Sequence, residues 1–481
     1  MPQTPIPPGP TPARSLAAAF SDVRRADPRA LAILDTDRKR ALTRDDLARA
    51  ADGTGRLVDG FPPGTILAVQ VPNGPAFFAA ILACWQRDLV PMPVDHDVAA
   101  PALDDLCRRT GAVSVLHAGP DDDLVLRVGP RDAGGQLAMP PGVALLKVTS
   151  GSTGEPRAVV LEADALLAGV GQIVSTMQLE PADRNLVTIP LAHSYAFDNV
   201  VLTLLRDGMA AVLARDLTPR RLLAAARDAG ATVLPTVPFL IDVLARAQRD
   251  GALPVLRRVI SAGAPLPARA RERFAAAFGV RPRTFYGATE CGGIAFDREG
   301  VAELPDGCVG TALDGVHLLL EETDEDGVGR VYVRSASAAG RYLPESLAEA
   351  GEDVLGRGRF RTADLGRLDA QGRLHLVGRV HDVVNVGGRK VYPAEVERVI
   401  RAVPGVLDVV VTGEARSAVA DALRAVVAAE PHVTRAEVAA ACEQRLARHK
   451  VPRSIELVAE LPRTLRGKID RRRLDARCAN D

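Results

Sequence analysis

The sequence predicts an α/β protein with a large N-terminal domain of helices and mixed sheets, a β subdomain, and a small C-terminal α+β domain. Strand-like and helix-like runs alternate through most of the chain, short strands with turns follow from about residue 300, and a compact segment of about one hundred residues closes the chain. A length of 481 residues is enough for two to four domains.

The alternation is clearest near residue 65. The strand-like run TILAVQV (65–71) meets a turn at residues 72–75, and the apolar run FFAAILACW (77–85) then leads to the strand-like run LVPMPV (89–94). Further runs of both kinds follow, namely AAVLARD, RLLAAARDAG, ATVLPTV and VLRRVISAG. This order is typical of βαβ units around a largely parallel sheet.

The pattern of predicted secondary structure changes after about residue 300. Two segments, HLLLEETDEDGVGRVYVRS (317–335) and GRLDAQGRLHLVGRV (366–380), consist of short strand-like runs separated by turn residues. They predict antiparallel hairpins and therefore a β subdomain over residues 300–378.

Composition excludes several classes of function. The 60 Lys+Arg balance the 60 Asp+Glu, which argues against nucleic acid as a partner. The apolar run 76–85 is too short for a membrane span, and the Pro-rich residues 1–14 predict a disordered leader. The six cysteines are scattered without ligand spacing, so we expect no zinc site, no disulfide framework and a cytoplasmic location.

Lysine is rare in this chain, with five lysines against 55 arginines. Because arginine supplies positive charge almost everywhere else, we expect a lysine more often where a compact, flexible charge is needed. The five positions are Lys39, Lys147, Lys390, Lys450 and Lys468.

The sharpest local motif is VTSGSTGEPR (148–157). Its hydroxyl residues and glycines can bring backbone N–H groups and side-chain donors close to a phosphate. The candidate phosphate ligands are Thr149, Ser150, Gly151, Ser152, Thr153 and Gly154. No Walker A motif occurs in the chain. On this segment alone, a phosphate loop and a flexible Gly/Ser turn are equally good interpretations.

The motif does not stand alone. It is followed in order by PLAH (190–193), SAGAPL (261–266), YGATE (286–290), TAD (362–364) with GRVHDVVNVGGRKVYPAEVE (378–397), and LPRTLRGKIDRRRL (461–474). This ordered set closely resembles the AMP-forming acyl-CoA synthetases, the adenylate-forming superfamily that also includes acyl-carrier-protein ligases, adenylation domains and luciferase. The resemblance covers about residues 15–476.

The resemblance implies ATP-dependent activation of a carboxylic acid as acyl-AMP with release of pyrophosphate, followed by transfer of the acyl group to a thiol. It also implies an N-terminal adenylation domain over 15–378, a hinge at 379–381, and a mobile C-terminal domain over 382–481. The active site would lie between the two domains. ATP and Mg²⁺ would be required, with CoA or a phosphopantetheine arm as co-substrate.

The resemblance also implies roles for single residues in nucleotide binding. The loop 149–154 would hold the β- and γ-phosphates, with Arg157 where the family usually has lysine. Thr289 would contact the α-phosphate, and Glu290 would hold Mg²⁺. The remaining nucleotide-binding candidates are Gly263, Ala264 and Pro265 on one side of the adenine, Tyr286 and Gly287 on the other, and Asp364 with Arg379 at the ribose.

Further residues are implied at the acyl and thiol sites. His193 and Gly292 would lie at the acyl group, whereas nothing near Cys291 suggests a nucleophile. Lys468 would be the catalytic lysine of adenylation. Gly387 and Gly388 would face the thiol acceptor, and His381 would be the hinge residue. His381 and Asn385 depart from residues common in the family, as Arg157 does, and make transfer less securely predicted than adenylation.

Three functions remain open on the sequence. The first is a ligase that joins the acid to CoA or to an acyl carrier protein. The second is an adenylating enzyme with an amine or another nitrogen acceptor. The third is a nucleotide-binding paralogue without ligase activity, although the intact loop 149–154, Glu290, Asp364 and Lys468 argue against it. The sequence does not predict which acid is used.

Overall fold

The computed structural model describes residues 16–119, 124–128, 138–150, 156–247, 253, 255–300, 304–305, 307–344, 355–356, 358–386, 389–417 and 420–462. Two compact units are present. The first contains the described residues up to 304 together with 309–319 and 332–361, and the second contains 305–308, 320–331 and the described residues from 362 onward. The predicted leader, 1–14, lies outside the described residues.

The strands are β1 Leu31–Asp35, β2 Arg40–Thr43, β3 Ile66–Gln70, β4 Val90–Pro93, β5 Ser114–Ala118, β6 Leu124–Val128, β7 Val143–Ser150, β8 Pro156–Glu162, β9 Arg184–Val187, β10 Ala210–Leu213, β11 Val233–Thr236, β12 Arg258–Ser261, β13 Arg283–Ala288, β14 Gly292–Phe296, β15 Cys308–Ala312, β16 His317–Glu321, β17 Gly329–Arg334, β18 Arg341–Leu343, β19 Leu355–Gly356, β20 Arg359–Leu368, β21 Leu374–Arg379, β22 Val384–Val386, β23 Arg389–Val391, β24 Val406–Ser417, β25 Ala420–Ala429 and β26 Ser454–Val458.

The α-helices are α1 Leu16–Ala26, α2 Arg44–Val58, α3 Pro75–Trp85, α4 Ala100–Thr110, α5 Ala163–Met177, α6 Ser194–Ala196, α7 Thr203–Asp207, α8 Pro219–Asp228, α9 Pro238–Ala247, α10 Ala268–Phe278, α11 Pro393–Arg401 and α12 Arg435–Arg445. A π-helical segment covers Phe197–Leu202, and 3₁₀ turns cover Val380–Asp382 and Arg448–Lys450.

The main sheet of the first unit has the order β14-β13-β12-β11-β9-β10-β1-β2. Its central neighbours from β13 to β1 pair in parallel, and the two ends are antiparallel. A second sheet, β4-β3-β5-β6, pairs β3 in parallel with both β4 and β5. These parallel pairs confirm the βαβ units predicted from the alternating runs.

Helix α3 shows why the first βαβ unit folds as predicted. Pro75 occupies its first turn, where the missing N–H costs nothing. Every residue from Phe77 to Trp85 is buried, as expected for a helix that is apolar on all sides. The Trp85 indole N–H donates to the Ala144 carbonyl at 2.7 Å, which fixes the helix against β7.

A third sheet of the first unit, β18-β8-β7, is antiparallel throughout. It carries Lys147, Thr149, Arg157 and Tyr342, four polar residues of the candidate site.

In the second unit, residues 364–368 of β20 pair antiparallel with β21, and β22 pairs antiparallel with β23. A sheet of order β24-β25-β26 supports α11 and α12, with a core that includes Val396, Ile400 and Cys442. These hairpins agree with the short strands and turns that the sequence predicts after about residue 300. The boundaries 15–378, 379–381 and 382–481 stay predictions.

No described helix combines the length and the apolar character that crossing a membrane requires.

Helix α12 begins with a capping box. The Thr434 hydroxyl accepts from the Glu437 N–H at 3.3 Å, and the Glu437 carboxylate accepts from the Thr434 N–H at 2.8 Å. This reciprocal bonding satisfies two backbone donors at the helix start and holds the pKa of the Glu437 carboxyl below its ordinary value. Thr434 is exposed, so its side chain contributes through the cap rather than through packing.

We expect Thr434→Ala to weaken α12 by about 1 kcal/mol, the usual cost of losing such a cap. Hydrogen–deuterium exchange of the intact protein should therefore show about fivefold faster exchange in the peptide containing residues 434–445. Thr434→Ser, which keeps the hydroxyl, should exchange like the wild type. Equal exchange in the Ala and Ser variants would show that the cap does not stabilise this helix.

Candidate active site

The three-stranded sheet β18-β8-β7 forms the base of the site. β7 and β8 pair so that Thr149 lies opposite Arg157. Two residues further along, Lys147 lies opposite Val159, and β18 places Tyr342 beside Val159. Side chains two residues apart on a strand share a face. The polar residues on one face of this sheet are therefore Lys147, Thr149, Arg157 and Tyr342.

The predicted phosphate loop connects β7 to β8. Gly151, Ser152, Thr153 and Gly154 lie outside the described residues, and of Ser150 only the backbone is described. The two described ends lie side by side, because Ser150 pairs with Pro156. Thr149 and Arg157, which flank the loop, are thus brought together.

Arg157 is held between an aromatic ring and a carboxylate. Its guanidinium carbon lies 3.9 Å from the centre of the Tyr342 ring, and its Nη2 lies 3.8 Å from Glu290 Oε1. The Tyr342 hydroxyl donates to the same Oε1 at 3.1 Å. The Arg157 and Glu290 side chains are only 13% and 10% exposed, so two opposite charges lie near each other in a largely buried place.

Glu290 lies in the turn between β13 and β14. The Ala339 N–H donates to its carbonyl at 2.8 Å, which fixes the turn. Thr289 beside it is half-buried, and Gly287 is exposed. A Cβ on Gly287 would lie 2.6 Å from the Gly292 carbonyl oxygen, so only glycine permits this close approach of β13 and β14.

The predicted adenine-binding residues meet at one edge of the main sheet. β12 and β13 are parallel neighbours, with Ser261 beside Thr284. Gly263, Ala264 and Pro265 directly follow β12, and all three are exposed. Tyr286, two residues beyond Thr284 on β13, is half-buried. The carboxyl ends of adjacent parallel strands are where α/β sheets bind ligands.

His193 is the residue before the short helix α6. Its side chain is 29% exposed, and its Nε2 lies 3.6 Å from Oδ2 of the buried Asp95, which follows β4. This carboxylate favours a ring orientation in which Nε2 faces Asp95.

A buried ion pair joins Lys147 on β7 to Asp198 in the π-helical segment Phe197–Leu202. Lys147 Nζ donates to Asp198 Oδ1 at 2.5 Å and to Ser194 Oγ at 3.2 Å. Lys147 is 4% and Asp198 is 7% exposed. Burial raises the pKa of the Asp198 carboxyl, and the Lys147 ammonium opposes this shift. A Cβ added to Gly292 would lie 3.7 Å from Asp198 Oδ2, so the pair adjoins the predicted acyl site.

Cys291 is fully buried between Glu290 and Gly292. Burial raises the pKa of its thiol well above the ordinary value, and the Glu290 carboxylate adds to the shift. Its carbonyl accepts from the Ser337 hydroxyl at 2.7 Å. The thiol is protonated at neutral pH and is not activated, in line with the expectation that it is no nucleophile.

The second unit carries the predicted ribose-binding pair. Asp364 and Arg379 are cross-strand partners on β20 and β21, and Arg379 Nε donates to Asp364 Oδ1 at 3.0 Å. The Thr362 hydroxyl accepts from the Asp364 N–H at 3.0 Å and donates to the Val331 carbonyl at 2.9 Å. Thr362 thus anchors the strand while Arg379 orients the carboxylate. His381 follows in the exposed 3₁₀ turn.

Besides the loop residues 151–154, three predicted residues cannot be placed in this geometry. Lys468, Gly387 and Gly388 lie outside the described residues, and their roles stay predictions. Of the other lysines, Lys450 binds Glu395 at 2.8 Å, and Lys390 lies exposed on β23.

The structure adds residues that sequence reasoning missed. Tyr342 lies in a segment without any motif, so its contact with Glu290 had no signal in the sequence. Asp95 and Asp198 gave no distinctive signal either. Lys147 was noticed for the rarity of lysine, but only the fold supplies its partner.

The family comparison agrees with the motifs. A model described as AMP-binding enzyme matches residues 20–343, and one described as AMP-binding enzyme C-terminal domain matches residues 395–468. The chain therefore belongs to the AMP-binding enzyme family, which confirms the resemblance and the predicted fold class.

Curated relatives cover most of the chain. A feruloyl-CoA synthase of Amycolatopsis sp. is 30% identical over 462 residues, which cover 89% of this chain and 92% of that protein. The long-chain-fatty-acid–CoA ligase FadD13 of Mycobacterium tuberculosis is 26% identical, with 85% and 87% covered.

Solved structures share the fold. ATP-bound MatB from Rhodopseudomonas palustris superposes with a TM-score of 0.84 at 25% identity, covering 96% of this chain and 98% of that one. O-succinylbenzoate CoA synthetase (MenE) from Bacillus subtilis, in complex with its acyl-adenylate intermediate, has a TM-score of 0.82 at 21% identity, with 95% and 97% covered.

The stacking of Arg157 on Tyr342 predicts that this position needs a planar cation. In an ATP–pyrophosphate exchange assay, we expect Arg157→Lys to lose about tenfold in rate, because lysine keeps the charge but cannot stack in the same way. Arg157→Ala should lose about 10²–10³.

To test the role of the ring, the Arg157 substitution is also made in two variants of Tyr342. Tyr342→Phe keeps the ring, and Tyr342→Leu removes it. In the Tyr342→Phe background, the loss of exchange rate caused by Arg157→Lys should stay at about tenfold. In the Tyr342→Leu background it should fall to about twofold or less, because no ring is left for the cation at position 157 to stack on. If the cost is the same in both backgrounds, the ring does not position the guanidinium. Melting temperatures identify variants that fail to fold.

Proposed function

We propose that this protein catalyses adenylation of a carboxylic acid and transfer of the acyl group to the thiol of CoA. In the first step, a carboxylate oxygen attacks the α-phosphorus of ATP and pyrophosphate leaves. In the second, the thiol sulfur attacks the acyl carbon and AMP leaves. The enzyme class, an AMP-forming acyl-CoA ligase, is that of the curated relatives and of the family to which the chain belongs.

One observation of the structure supports the proposal most strongly. The β7–β8 hairpin, Tyr342 and the β13–β14 turn gather a hydroxyl, a guanidinium and a carboxylate, namely Thr149, Arg157 and Glu290, next to the connection that carries the phosphate motif. Arg157 would bind the leaving pyrophosphate, and Thr289 would donate to the α-phosphate. Fixed donors and charges of this kind stabilise the charge that develops as the leaving group departs.

Glu290 fits the magnesium site that the resemblance implies. Mg²⁺ usually takes one or two protein carboxylates and fills its other positions with phosphate and water. Within the described ranges, no cluster of three or more His, Cys, Asp or Glu could hold a metal alone, whereas the single carboxylate of Glu290 suits a shared site. Bound there, Mg²⁺ would neutralise phosphate charge.

The nucleoside is assigned to the remaining predicted residues. Tyr286 would stack on the adenine, with Gly263, Ala264 and Pro265 along its other side. Asp364 would accept hydrogen bonds from the two ribose hydroxyls. The Arg379 contact at 3.0 Å keeps that carboxylate oriented.

The acyl group is assigned to the surface between His193 and Gly292. Asp95 holds the His193 ring, and Gly292 presents no side chain. The curated relatives act on acids as different as feruloyl and long-chain fatty acyl groups, so we assign the choice of acid to this surface rather than to the phosphate residues.

The C-terminal residues are assigned to both half-reactions. Lys468 would neutralise charge at the α-phosphate and the attacking carboxylate during adenylation. Gly387 and Gly388 would face the thiol after a rotation about His381. CoA is favoured as acceptor over a carrier protein or a nitrogen nucleophile, because CoA is the acceptor that the relatives' names give. We place the enzyme in the cytoplasm, because its five described cysteines are buried thiols.

The direct test measures exchange of labelled pyrophosphate into ATP over a panel of aliphatic and aromatic acids. We expect exchange only with a suitable acid and Mg²⁺, and thioester formation when CoA is added. Exchange without any acid, or none with the whole panel, would contradict the proposal. If hydroxylamine or an amine replaces CoA with equal efficiency, the nitrogen acceptor is the better account.

The same assays apply to Lys468→Ala. Exchange should fall by about 10²–10³, because a preorganised charge is lost, while thioester formation from supplied acyl-AMP stays within about threefold. Arg472→Ala, in the same basic segment, is the matched control and should affect neither step. Equal slowing of both steps by Lys468→Ala would contradict the assignment of Lys468 to adenylation.

A further inference from the structure

Asp198 uses only one of its two carboxylate oxygens within the described chain. Oδ1 accepts from Lys147 at 2.5 Å, whereas no described group donates to Oδ2. The Asp198 side chain is 9% exposed. A bound ligand that covers this oxygen removes its hydration, which costs free energy unless the ligand supplies a donor, so a donor at this position would be bound favourably.

Gly292 shows where such a donor would lie. Its φ is +66°, in the left-handed region that favours glycine, and the position of a Cβ lies 3.7 Å from Asp198 Oδ2. An atom of a bound acyl group that takes the place of the missing side chain is therefore in contact with this oxygen.

The charge of the surroundings restricts the kind of donor. Lys147 and Asp198 are both buried, and together they carry no net charge. An ammonium group beside Oδ2 would add an uncompensated positive charge close to Lys147, which is expensive in a buried place. A neutral hydroxyl can donate to Oδ2 without this cost.

We propose that Asp198 Oδ2 accepts a hydrogen bond from a hydroxyl group of the acyl substrate, and that Lys147 makes the site selective for this neutral donor over an ammonium. The substrate class is thus a hydroxylated carboxylic acid. The proposal rests on the proposed function, because it places the acyl group over Gly292.

The local backbone fits a binding role. Asp198 lies in the π-helical segment Phe197–Leu202, and such segments occur frequently at functional sites. Around it, the Asn185 amide donates to the Asn199 carbonyl and to the Thr203 hydroxyl, each at 3.2 Å. These bonds tie the segment that carries Asp198 to β9, which helps to hold a specificity residue in place.

The consequence is a penalty for acids that lack the hydroxyl. Such an acid would dehydrate Oδ2 and leave it without a donor. Sites built to bind a hydroxyl reject analogues without it far more strongly than apolar pockets reject a missing methylene.

The experiment compares acids that differ only at one group, by kcat/KM in acid-dependent pyrophosphate exchange. The aromatic series is 4-hydroxycinnamate and cinnamate. The aliphatic series is 3-hydroxyoctanoate, octanoate and 3-aminooctanoate. In at least one series, the wild type should prefer the hydroxylated acid by about tenfold or more. In the aliphatic series, 3-aminooctanoate should be the poorest substrate.

Two variants test the residues. Lys147→Met/Asp198→Leu replaces the pair by apolar side chains, so the hydroxyl preference should fall to about twofold or less. Lys147→Met alone leaves an uncompensated carboxylate and should improve 3-aminooctanoate relative to octanoate. A second buried pair, removed in Arg271→Met/Asp297→Leu, is the matched control and should leave the preference unchanged.

The outcomes separate the two proposals. No exchange with any acid would overturn the proposed function itself. Exchange without a hydroxyl preference in either series, or a preference that survives in Lys147→Met/Asp198→Leu, would overturn the role of Asp198 while the ligase function stands. The comparison of acids with the wild-type protein shows whether a hydroxyl preference exists, even if a variant fails to fold.

Discussion

The candidate site depends on charge compensation between Arg157, on the sheet β18-β8-β7, and Glu290, in the turn between β13 and β14. Arg157 and Glu290 come from distant parts of the chain, and Tyr342 contacts both, through its ring and its hydroxyl. Two buried charges would be costly apart, so the strand that carries Tyr342 and the turn that carries Glu290 must pack beside Arg157. The base of the phosphate connection and the carboxylate proposed for Mg²⁺ are thereby fixed relative to each other.

The same face of the sheet links the phosphate region to the acyl region. Lys147 and Thr149 lie two residues apart on β7 and therefore point the same way. Thr149 adjoins the phosphate connection, while Lys147 holds Asp198 beside Gly292. A single strand thus positions groups for the nucleotide and for the acid, the two substrates that adenylation must bring together.

The sequence predicted much of this arrangement because its signals are local. Alternating runs predicted the parallel sheet, and the confirmed family supplied Arg157, Glu290, Asp364 and Arg379, which the structure places in two contacts. Tyr342, Asp95 and Asp198 could not be predicted, since their importance comes from contacts between segments far apart in the chain. Lys147 stood out because lysine is rare in this chain. Its buried partner lies 51 residues away in the sequence, so only the fold brings the two together. The roles of Lys468, Gly387 and Gly388 stay predictions.

If Arg157 and Glu290 compensate each other, binding of ATP and binding of Mg²⁺ must be coupled through them. ATP phosphates supply a new anion for Arg157, and Mg²⁺ supplies a new cation for Glu290. The most direct measurement is calorimetric titration of ATP into the wild type and Glu290→Gln, each with and without Mg²⁺. The account predicts that Mg²⁺ tightens ATP binding strongly in the wild type and little in the variant, while Mg²⁺-free ATP binds the variant more tightly. An equal effect of Mg²⁺ on both proteins would contradict it.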